Sequence, residues 1–220
     1  MEVILMRIPN HIAVIPDGNR RWAQSKGLLK QEGYSYGLDP GVQLLHLCHE
    51  YQVEELTYYG FTMDNTKRPP EQTTAFRKAC VEAVEKITRE NASLLVVGNT
   101  NSPMFPEDLL PFTKERITFG DGSIKVNFLV NYGWQWDLSN FSMNNNIRKA
   151  NVTDYLYSKD ISRIALVIRW GGRRRLSGLL PVQSIYADFY VIEDYWPDFK
   201  PHHFHEALEW YDKQDITLGG

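Results

Sequence analysis

Short apolar runs alternate with amphipathic segments along most of the chain. Six of the runs have the length of strands, at residues 12–15, 56–61, 94–98, 125–133, 164–168 and 189–192. Apolar positions three and four residues apart predict helices at 41–51, 71–91, 106–117, 179–187 and 201–213. Strands that are apolar throughout are typical of a parallel sheet with helices on both faces. The pattern therefore predicts an α/β fold with a mainly parallel six-stranded sheet flanked by helices.

The composition fits one globular domain that extends over residues 1–220. The chain has no internal repeat or linker, and residues 140–160, whose pattern is weak, are assigned only as loop with some helix. The net charge of −3 gives no general reason to expect a nucleic-acid partner. Two cysteines make no disulfide framework, no apolar run approaches the ~20 residues of a membrane span, and no signal peptide is evident. These features predict a cytoplasmic protein.

Residues 11–22 carry the most distinctive chemistry. The predicted first strand is followed by turn-forming residues and then by two arginines that open a helix, namely Asp17, Gly18, Asn19, Arg20 and Arg21. A Gly-bearing turn before a helix suits an anion, and arginines add bidentate donors for phosphate. A carboxylate beside phosphate is favourable only if a cation joins the two, which suggests Mg²⁺ at Asp17. The alternative is an ordinary strand-to-helix turn that Asp17 caps.

A second arginine-rich segment follows the predicted fifth strand. Residues 169–177 hold four arginines, two glycines and a serine, which suit a diphosphate because guanidinium forks bind phosphate oxygens and glycine allows close approach. The alternatives are an RNA-binding Arg-Gly segment or a solvated basic loop. The chain has no P-loop and no Gly-x-Gly-x-x-Gly pattern, so a nucleotide fold has no support. Two arginine sites and one carboxylate suggest two diphosphate esters bound side by side.

The segments at these strand ends resemble the motifs of the cis-prenyltransferases, the undecaprenyl diphosphate synthase family. Residues 11–23 resemble H-I-A-x-I-M-D-G-N-x-R-W-A, and residues 61–69 resemble F-S-x-E-N-W-x-R-P. Residues 131–133 match N-Y-G, residues 168–177 resemble I-R-x-S-G-E-x-R-L-S, residues 185–188 resemble A-Y-x-E, and residues 196–199 match W-P-D-F. These similarities occur in order across nearly the whole chain.

The resemblance implies an enzyme that condenses an allylic isoprenoid diphosphate with isopentenyl diphosphate and releases pyrophosphate, in an α/β fold with an apolar tunnel for the prenyl chain. Asp17 and Asn65 would be catalytic, Asn65 as proton acceptor or relay, and Asp17 and Asp188 would hold Mg²⁺. The implied substrate-binding residues are Gly18, Asn19, Arg20, Arg21, Trp22, Lys30, Tyr34, Thr62, Met63, Asp64, Arg68, Arg169, Arg175, Leu176 and Ser177. A homodimer, and peripheral membrane contact through a lipid product, are further implications.

Several positions depart from the family pattern. Arg20 replaces a glycine, Arg173 replaces a glutamate, and Asp188 stands where the family has a glutamate. The first two changes add positive charge beside the expected diphosphates, which leaves irregular or cyclising coupling open as an alternative to head-to-tail elongation. A non-catalytic partner subunit is a further alternative. Such subunits generally lose the aspartate and arginines that this chain keeps.

Overall fold

A computed structural model describes residues 6–142 and 152–215, with one seven-stranded sheet at the centre. The strands are β1 (His11–Ile15), β2 (Glu55–Tyr59), β3 (Ala92–Val97), β4 (Ile117–Phe119), β5 (Lys125–Leu129), β6 (Leu166–Arg169) and β7 (Asp188–Val191). The α-helices are α1 (Asn19–Ser25), α2 (Leu38–Glu50), α3 (Pro70–Ile87), α4 (Trp134–Ser142) and α5 (Pro201–Asp212). The predicted α/β class with a mainly parallel sheet is confirmed.

The sheet order places β1 in the interior. The strands run β4-β3-β5-β2-β1-β6-β7, and all neighbours are parallel except the pair β3 and β4. The chain moves from β1 to one side of the sheet for β2 to β5 and then returns to the other side for β6. Ligands in such sheets bind where this direction changes, beyond the carboxyl ends of the strands. That point lies between β1 and β6, where Ile15 pairs with Arg169.

The sheet has one strand more than the sequence predicts. The additional strand, Ile117–Phe119, pairs antiparallel with β3 at the edge of the sheet. The helix predicted over residues 106–117 is replaced by a shorter 3₁₀ helix, Glu107–Thr113, with Pro111 inside it. Proline has no N–H to donate and blocks the preceding helical turn, so an α-helix cannot continue through it. Glu32–Gly37 forms a further 3₁₀ helix, which overlaps the end of a segment, residues 28–34, whose sequence predicts a loop.

The predicted helix at 179–187 is also wrong, because the segment is a series of turns. Ser177, Gly178 and Leu180 have φ angles of 54°, 82° and 34°. These left-handed conformations cannot belong to a right-handed helix, and the following Pro181 further disfavours helical backbone at Leu180. Of the weakly patterned stretch at 140–160, residues 143–151 lie outside the described residues, and Val152–Tyr155 is a 3₁₀ helix.

The larger part of the core lies on the sheet face that α2, α3 and α5 cover. Leu44, Val84 and Phe204 from these helices pack with Ile12 and Leu56 of the central strands. The opposite face has a smaller cluster, in which Ala13 and Val167 contact Leu179 and Leu180. Burying most of β1 on both faces explains why this strand is apolar throughout. Among the described residues, no helix is both long and apolar enough to cross a membrane.

A buried polar network lies at the amino ends of the central strands, opposite the strand ends that carry the arginines. The Nδ1 of His11 donates to the Ser162 carbonyl over 3.1 Å, and its Nε2 accepts from the Thr57 hydroxyl over 2.8 Å. Asn127 donates to both Thr57 and Glu55, at 3.0 and 2.7 Å. Burial lowers the pKa of His11 below its usual 6.5, although the Glu55 carboxylate acts in the opposite direction. The folded protein therefore holds His11 neutral.

This network predicts a loss of stability in mild acid. The unfolded chain binds a proton at His11 near pH 6.5 and the folded chain binds it only at a lower pH, so the free energy of unfolding falls as the pH drops below 6.5. Between pH 7.5 and 5.5 we expect His11 to account for at most about 1 kcal/mol of that fall. Urea denaturation at several pH values measures the free energy of unfolding of the wild type and of His11→Gln, and this energy should fall less with pH in the variant. Burial also lowers the pKa of His203, so part of the pH dependence remains in both proteins. Parallel pH curves would contradict the assignment.

Candidate active site

A cavity of about 670 Å³ opens at the carboxyl ends of β1, β2 and β6. Fourteen of its lining residues are among the predicted site residues: Asp17, Gly18, Asn19, Arg20, Arg21, Lys30, Tyr34, Thr62, Asp64, Asn65, Arg68, Arg169, Arg175 and Ser177. They come from segments up to 160 positions apart in the sequence, and the parallel strands bring them together because the carboxyl ends of such strands share one edge. Cationic side chains outnumber the two carboxylates, so the cavity suits a strongly anionic ligand.

Asp17 is held at the mouth of this cavity by two arginines. Its Oδ2 accepts from Arg169 Nη2 at 2.8 Å and lies 3.4 Å from Arg21 Nη2, and its Oδ1 accepts from the Gly18 N–H at 2.6 Å. Burial by itself would raise the pKa of Asp17, but the hydrogen bond and charge of Arg169, with the charge of Arg21, lower it overall. The carboxylate is therefore ionised at neutral pH.

Gly18 is required by the turn that carries Asp17. Its φ of 104° is in the left-handed region, and a Cβ there would lie 2.6 Å from the ring of Tyr195. The same turn is attached to the segment after β7, since the Asp17 carbonyl accepts from the Trp196 N–H at 3.0 Å. Any larger residue would push the two segments apart, so the glycine sets the position of the carboxylate before it.

Arg169 connects the two arginine-rich segments. It is the last residue of β6, it is only 4% exposed, and besides Asp17 it donates to the Ser177 Oγ at 2.7 Å and to the Arg175 carbonyl. The Tyr59 hydroxyl donates to the Ser177 carbonyl at 2.9 Å. These bonds fold residues 170–177 back over the end of the sheet, so that Arg175 and Ser177 face the same cavity as Asp17.

The far wall of the cavity combines arginine and aromatic side chains. Arg20 donates to Gln72 at 3.1 Å, and Arg68 donates to the Tyr34 hydroxyl at 3.1 Å. Tyr34 stacks on Phe76 with ring centroids 4.5 Å apart. Burial raises the pKa of Tyr34 although Arg68 and Arg20 act to lower it, so its hydroxyl stays protonated and can donate to an anion. The wall therefore offers charge on one side and apolar surface on the other.

Asn65 and Thr62 hold each other in the loop after β2. The Thr62 N–H donates to Asn65 Oδ1 at 3.0 Å, and the Asn65 N–H donates to the Thr62 carbonyl at 2.9 Å. These bonds begin the 3₁₀ helix Met63–Lys67 and fix the Asn65 amide at the cavity wall. Asp64 lies at the exposed rim and pairs with Lys67 at 2.8 Å.

Four predicted site residues do not line the cavity. Trp22 is buried and donates to Asp198 at 2.8 Å, so it anchors α1 rather than contacting a ligand there. Met63 packs on Gly133, and Leu176 is 37% exposed and is not among the residues that line the cavity.

Asp188 is the fourth, and it does not meet Asp17 within the chain. It pairs with Leu166, which pairs with Ile12, so it lies at the amino end of the sheet. Ile12 is three residues, or roughly 10 Å, before the end of β1, and Asp17 lies beyond that end.

The cavity also contains residues that were not predicted. They are Ile15, Pro16, Gln24, Tyr59, Gly60, Phe76, Trp134 and Arg173. Phe76 belongs to the apolar face of α3, where periodicity predicts core rather than site. Arg173 is the exception, because it lies in the arginine-rich segment and could have been included on charge alone.

A smaller cavity of about 80 Å³ continues from the larger one between α2, α3 and β2. The two share Pro16, Asn19, Tyr34, Gly60 and Phe76. Beyond these residues the lining is almost entirely apolar, with Leu38, Val42, Tyr58, Ala79, Cys80, Ala83, Ile87 and Phe128 among its members. Burial raises the pKa of the Cys80 thiol to about 12, so this cysteine is not a nucleophile at neutral pH.

The donor set allows a magnesium ion only together with a ligand. In the described part of the chain, no three histidine, cysteine, aspartate or glutamate side chains cluster around a common point. Asp17 is the less exposed of the two carboxylates that line the cavity, since its side chain is 33% exposed and that of Asp64 is 85% exposed. Mg²⁺ is commonly held by one or two carboxylates with phosphate oxygens completing its shell. Asp17 fits that arrangement if a diphosphate lies beside it.

A cationic cavity that opens into an apolar one matches a molecule with a diphosphate head and a hydrocarbon tail. Residues 15–219 match the protein family described as "Putative undecaprenyl diphosphate synthase". The chain therefore belongs to the undecaprenyl diphosphate synthase family, and the resemblance seen in the motifs is confirmed.

Relatives match over nearly their whole lengths. An isoprenyl transferase of Clostridium tetani is 31% identical, with 100% of this chain and 92% of the relative aligned. A ditrans,polycis-undecaprenyl-diphosphate synthase of Yersinia pseudotuberculosis, named as (2E,6E)-farnesyl-diphosphate specific, is 29% identical over 97% of this chain and 91% of its own. The crystal structure of lavandulyl diphosphate synthase from Lavandula x intermedia, in complex with dimethylallyl diphosphate, superposes with a TM-score of 0.82 at 20% identity. The superposition covers 96% of this chain and 98% of the lavandulyl diphosphate synthase chain, and it shows that the two proteins share a fold.

Proposed function

We propose that this protein is a prenyltransferase that joins an allylic isoprenoid diphosphate to isopentenyl diphosphate and releases pyrophosphate. The observation that supports this most strongly is the continuity of the two cavities. A diphosphate at Asp17 and Arg21 would direct its hydrocarbon tail past Tyr34 and Phe76 into the apolar space. The names of the relatives, which are isoprenyl transferases and undecaprenyl diphosphate synthases, support the same reaction.

The proposed reaction breaks the carbon–oxygen bond of the allylic diphosphate and forms a carbon–carbon bond to the second substrate. The allylic carbon–oxygen bond breaks and the diphosphate departs with the electron pair, the alkene of the second substrate attacks the allylic carbon, and the product loses a proton. Arg20, Arg21 and Arg68 stabilise the negative charge that develops on the departing diphosphate. Arg175 and Ser177 orient the second substrate. Asn65, fixed by its bonds to Thr62, is the proposed proton acceptor or relay.

The proposal includes Mg²⁺ held by Asp17 and by diphosphate oxygens. When bound, the ion would add positive charge to the departing diphosphate. Asp188 is not part of this arrangement within one chain. Arg169 keeps Asp17 ionised and correctly oriented, since its guanidinium donates to the same carboxylate oxygen that faces Arg21.

The first test combines purified protein with Mg²⁺ and pairs of isoprenoid diphosphates. Dimethylallyl, geranyl and farnesyl diphosphate are each mixed with isopentenyl diphosphate, pyrophosphate release is measured, and the products are identified by mass spectrometry. Release that requires both substrates supports the proposal. No release from any pair, including pairs of allylic substrates, would argue for the non-catalytic partner subunit.

Irregular or cyclising coupling is the second candidate, and the additional arginines favour it. Arg20 and Arg173 both line the cavity and both add charge relative to the family pattern. A changed charge distribution can shift where the second alkene lies relative to the allylic carbon. Incubation with dimethylallyl diphosphate alone distinguishes the candidates, because a coupled product then requires no isopentenyl diphosphate.

The apolar cavity predicts short products. Its volume of about 80 Å³ is smaller than the roughly 150 Å³ cavity that admits one benzene molecule. We therefore expect room for about one isoprene unit beyond the diphosphate site, rather than the many units of an undecaprenyl chain. Ala83→Leu, which narrows the cavity from α3, should lower the turnover of geranyl and farnesyl diphosphate more than that of dimethylallyl diphosphate, because the longer tails need the space that is lost. Glu85→Leu, at an exposed position of the same helix, is the control. Long wild-type products would contradict this size limit.

Four further expectations remain predictions. They are a homodimer, cytoplasmic location, peripheral membrane contact through the lipid product, and the absence of a nucleic-acid partner. Light scattering of the purified protein tests the first, and co-sedimentation with phospholipid vesicles before and after turnover tests the third.

A further inference from the structure

Arg169, Arg173, Arg174 and Arg175 have different surroundings although they lie within seven residues. Arg169 is buried and makes three hydrogen bonds within the protein. Arg174 is exposed, pairs with Glu193 and donates to the Gly172 carbonyl. Arg173 and Arg175 both line the large cavity, whereas Arg174 does not. Of the four arginines, Arg169 forms hydrogen bonds inside the protein, Arg174 forms an ion pair at the surface, and Arg173 and Arg175 face the cavity.

The hydrogen bonds of Arg169 leave it little capacity for a ligand. A guanidinium has five N–H donors, and here three of them are directed at Asp17, Ser177 and the Arg175 carbonyl. Its Nε is buried and has no partner among the described residues. Arg169 is thus better suited to position the segment than to bind the second diphosphate directly.

Arg173 and Arg175 have the opposite character. Both are exposed to the cavity, and within residues 6–142 and 152–215 neither side chain has an ion-pair or hydrogen-bond partner. They are two positions apart and both line the large cavity, so the two guanidinium groups can reach the same ligand. The segment is fixed at its base, where the N–H groups of Gly171 and Gly172 donate to the carbonyls of Asp194 and Ile192 at 2.8 and 3.0 Å.

We propose that Arg173 is a diphosphate-binding residue that acts with Arg175 on the second substrate, while Arg169 is a positioning residue. Two free guanidinium groups on one fixed segment can each make bidentate, charge-assisted bonds to the two phosphates of a diphosphate. The assignment rests on the proposed function for the identity of the substrate. The anion site itself depends only on the charges and on the free donors.

Pyrophosphate binding provides the first test. Isothermal titration of the wild type with inorganic pyrophosphate is carried out in EDTA and again in Mg²⁺. Arg173→Gln should weaken the binding about 10-fold or more, because a charge-assisted contact is lost. Arg174→Gln is the matched control, with the same change of charge one residue away at a side chain that faces Glu193. Arg173→Lys should recover part of the affinity. Thermal unfolding of all four proteins should give the same midpoint within about 2 °C.

Steady-state kinetics provides the second test. Arg173→Gln should raise the KM for isopentenyl diphosphate about 10-fold and leave the KM for the allylic substrate nearly unchanged. Equal effects of Arg173→Gln and Arg174→Gln would overturn the proposal, because net charge alone would then explain the loss. Unchanged binding and KM in Arg173→Gln would overturn it as well, and the prenyltransferase function would be unaffected. If no substrate pair gives product but the pyrophosphate affinity falls selectively, the proposed function fails and the anion site at Arg173 stands.

Discussion

Asp17→Asn is expected to lower kcat by about 10²- to 10³-fold with little change in fold. The amide has nearly the same shape as the carboxylate, but it has a single acceptor oxygen, so it can keep the bond from Arg169 or the bond from Gly18 and not both. It loses the negative charge that offsets two guanidinium groups and that would hold a cation beside the departing diphosphate. Because Arg169 and Arg21 lower the pKa of Asp17, the wild-type group is fully ionised through the assay range. The acidic limb of the pH–rate profile should therefore belong to another group.

The measurement is a single-turnover rate with saturating substrates, together with a titration of Mg²⁺ into the protein and pyrophosphate mixture. The variant should lose the magnesium-dependent part of the binding heat. Glu193→Gln is a control with the same change of charge, because Glu193 pairs with Arg174 outside the cavity. A variant that turns over at the wild-type rate would remove Asp17 from the mechanism.

Arg169→Met should produce the second large effect, on both stability and catalysis. The guanidinium is almost completely buried and joins Asp17 to the segment at 170–177. Its removal leaves the Asp17 carboxylate with the longer contact to Arg21 and the bond from the Gly18 N–H. We expect the free energy of unfolding to fall by about 3 kcal/mol, the low end for a broken buried pair, since Asp17 is itself one-third exposed. The kcat should fall at least 100-fold, because the two proposed substrate sites lose their alignment.

Urea denaturation and steady-state kinetics measure these two effects. Arg169→Lys helps to separate charge from geometry, because an ammonium can pair with Asp17 but cannot also reach Ser177 and the Arg175 carbonyl in the same fork. It should keep more stability than Arg169→Met and still show a raised KM for isopentenyl diphosphate. Arg174→Met is the control on the same segment. If Arg169→Met unfolds like the wild type, Arg169 does not connect the two segments as described.

The sequence predicts local structure correctly where the residues that stabilise an element all lie within that element. The strand at 11–15, the turn at Asp17 and Gly18, and the helix at 70–87 follow from apolar runs, turn-forming residues and helical periodicity. Most of the predicted site residues also meet in one cavity, because parallel strands carry their following loops to one edge of the sheet. The motifs indicated which loops matter before any contact was known.

The errors fall where contacts distant in sequence decide the outcome. The pattern at 179–187 looks helical, but the preceding backbone bends into left-handed conformations so that Ser177 meets Arg169 and Tyr59. Trp22 looks like a site residue from its motif, and its indole is directed to Asp198, far along the chain. The motifs predict that Asp188 and Asp17 share a metal ion, but the strand register separates the two residues within one chain.

The fold class, the family and the two arginine-rich segments that flank the site could all be predicted from the sequence. They depend on local periodicity and on residue types in a fixed order, which are properties of neighbouring positions. The roles of the individual arginines follow only from contacts in the folded chain: one joins two segments, one pairs outward and two remain free to bind. Four arginines within seven residues are chemically identical in the sequence. Their roles differ because burial and the positions of Asp17, Ser177 and Glu193 differ around each of them.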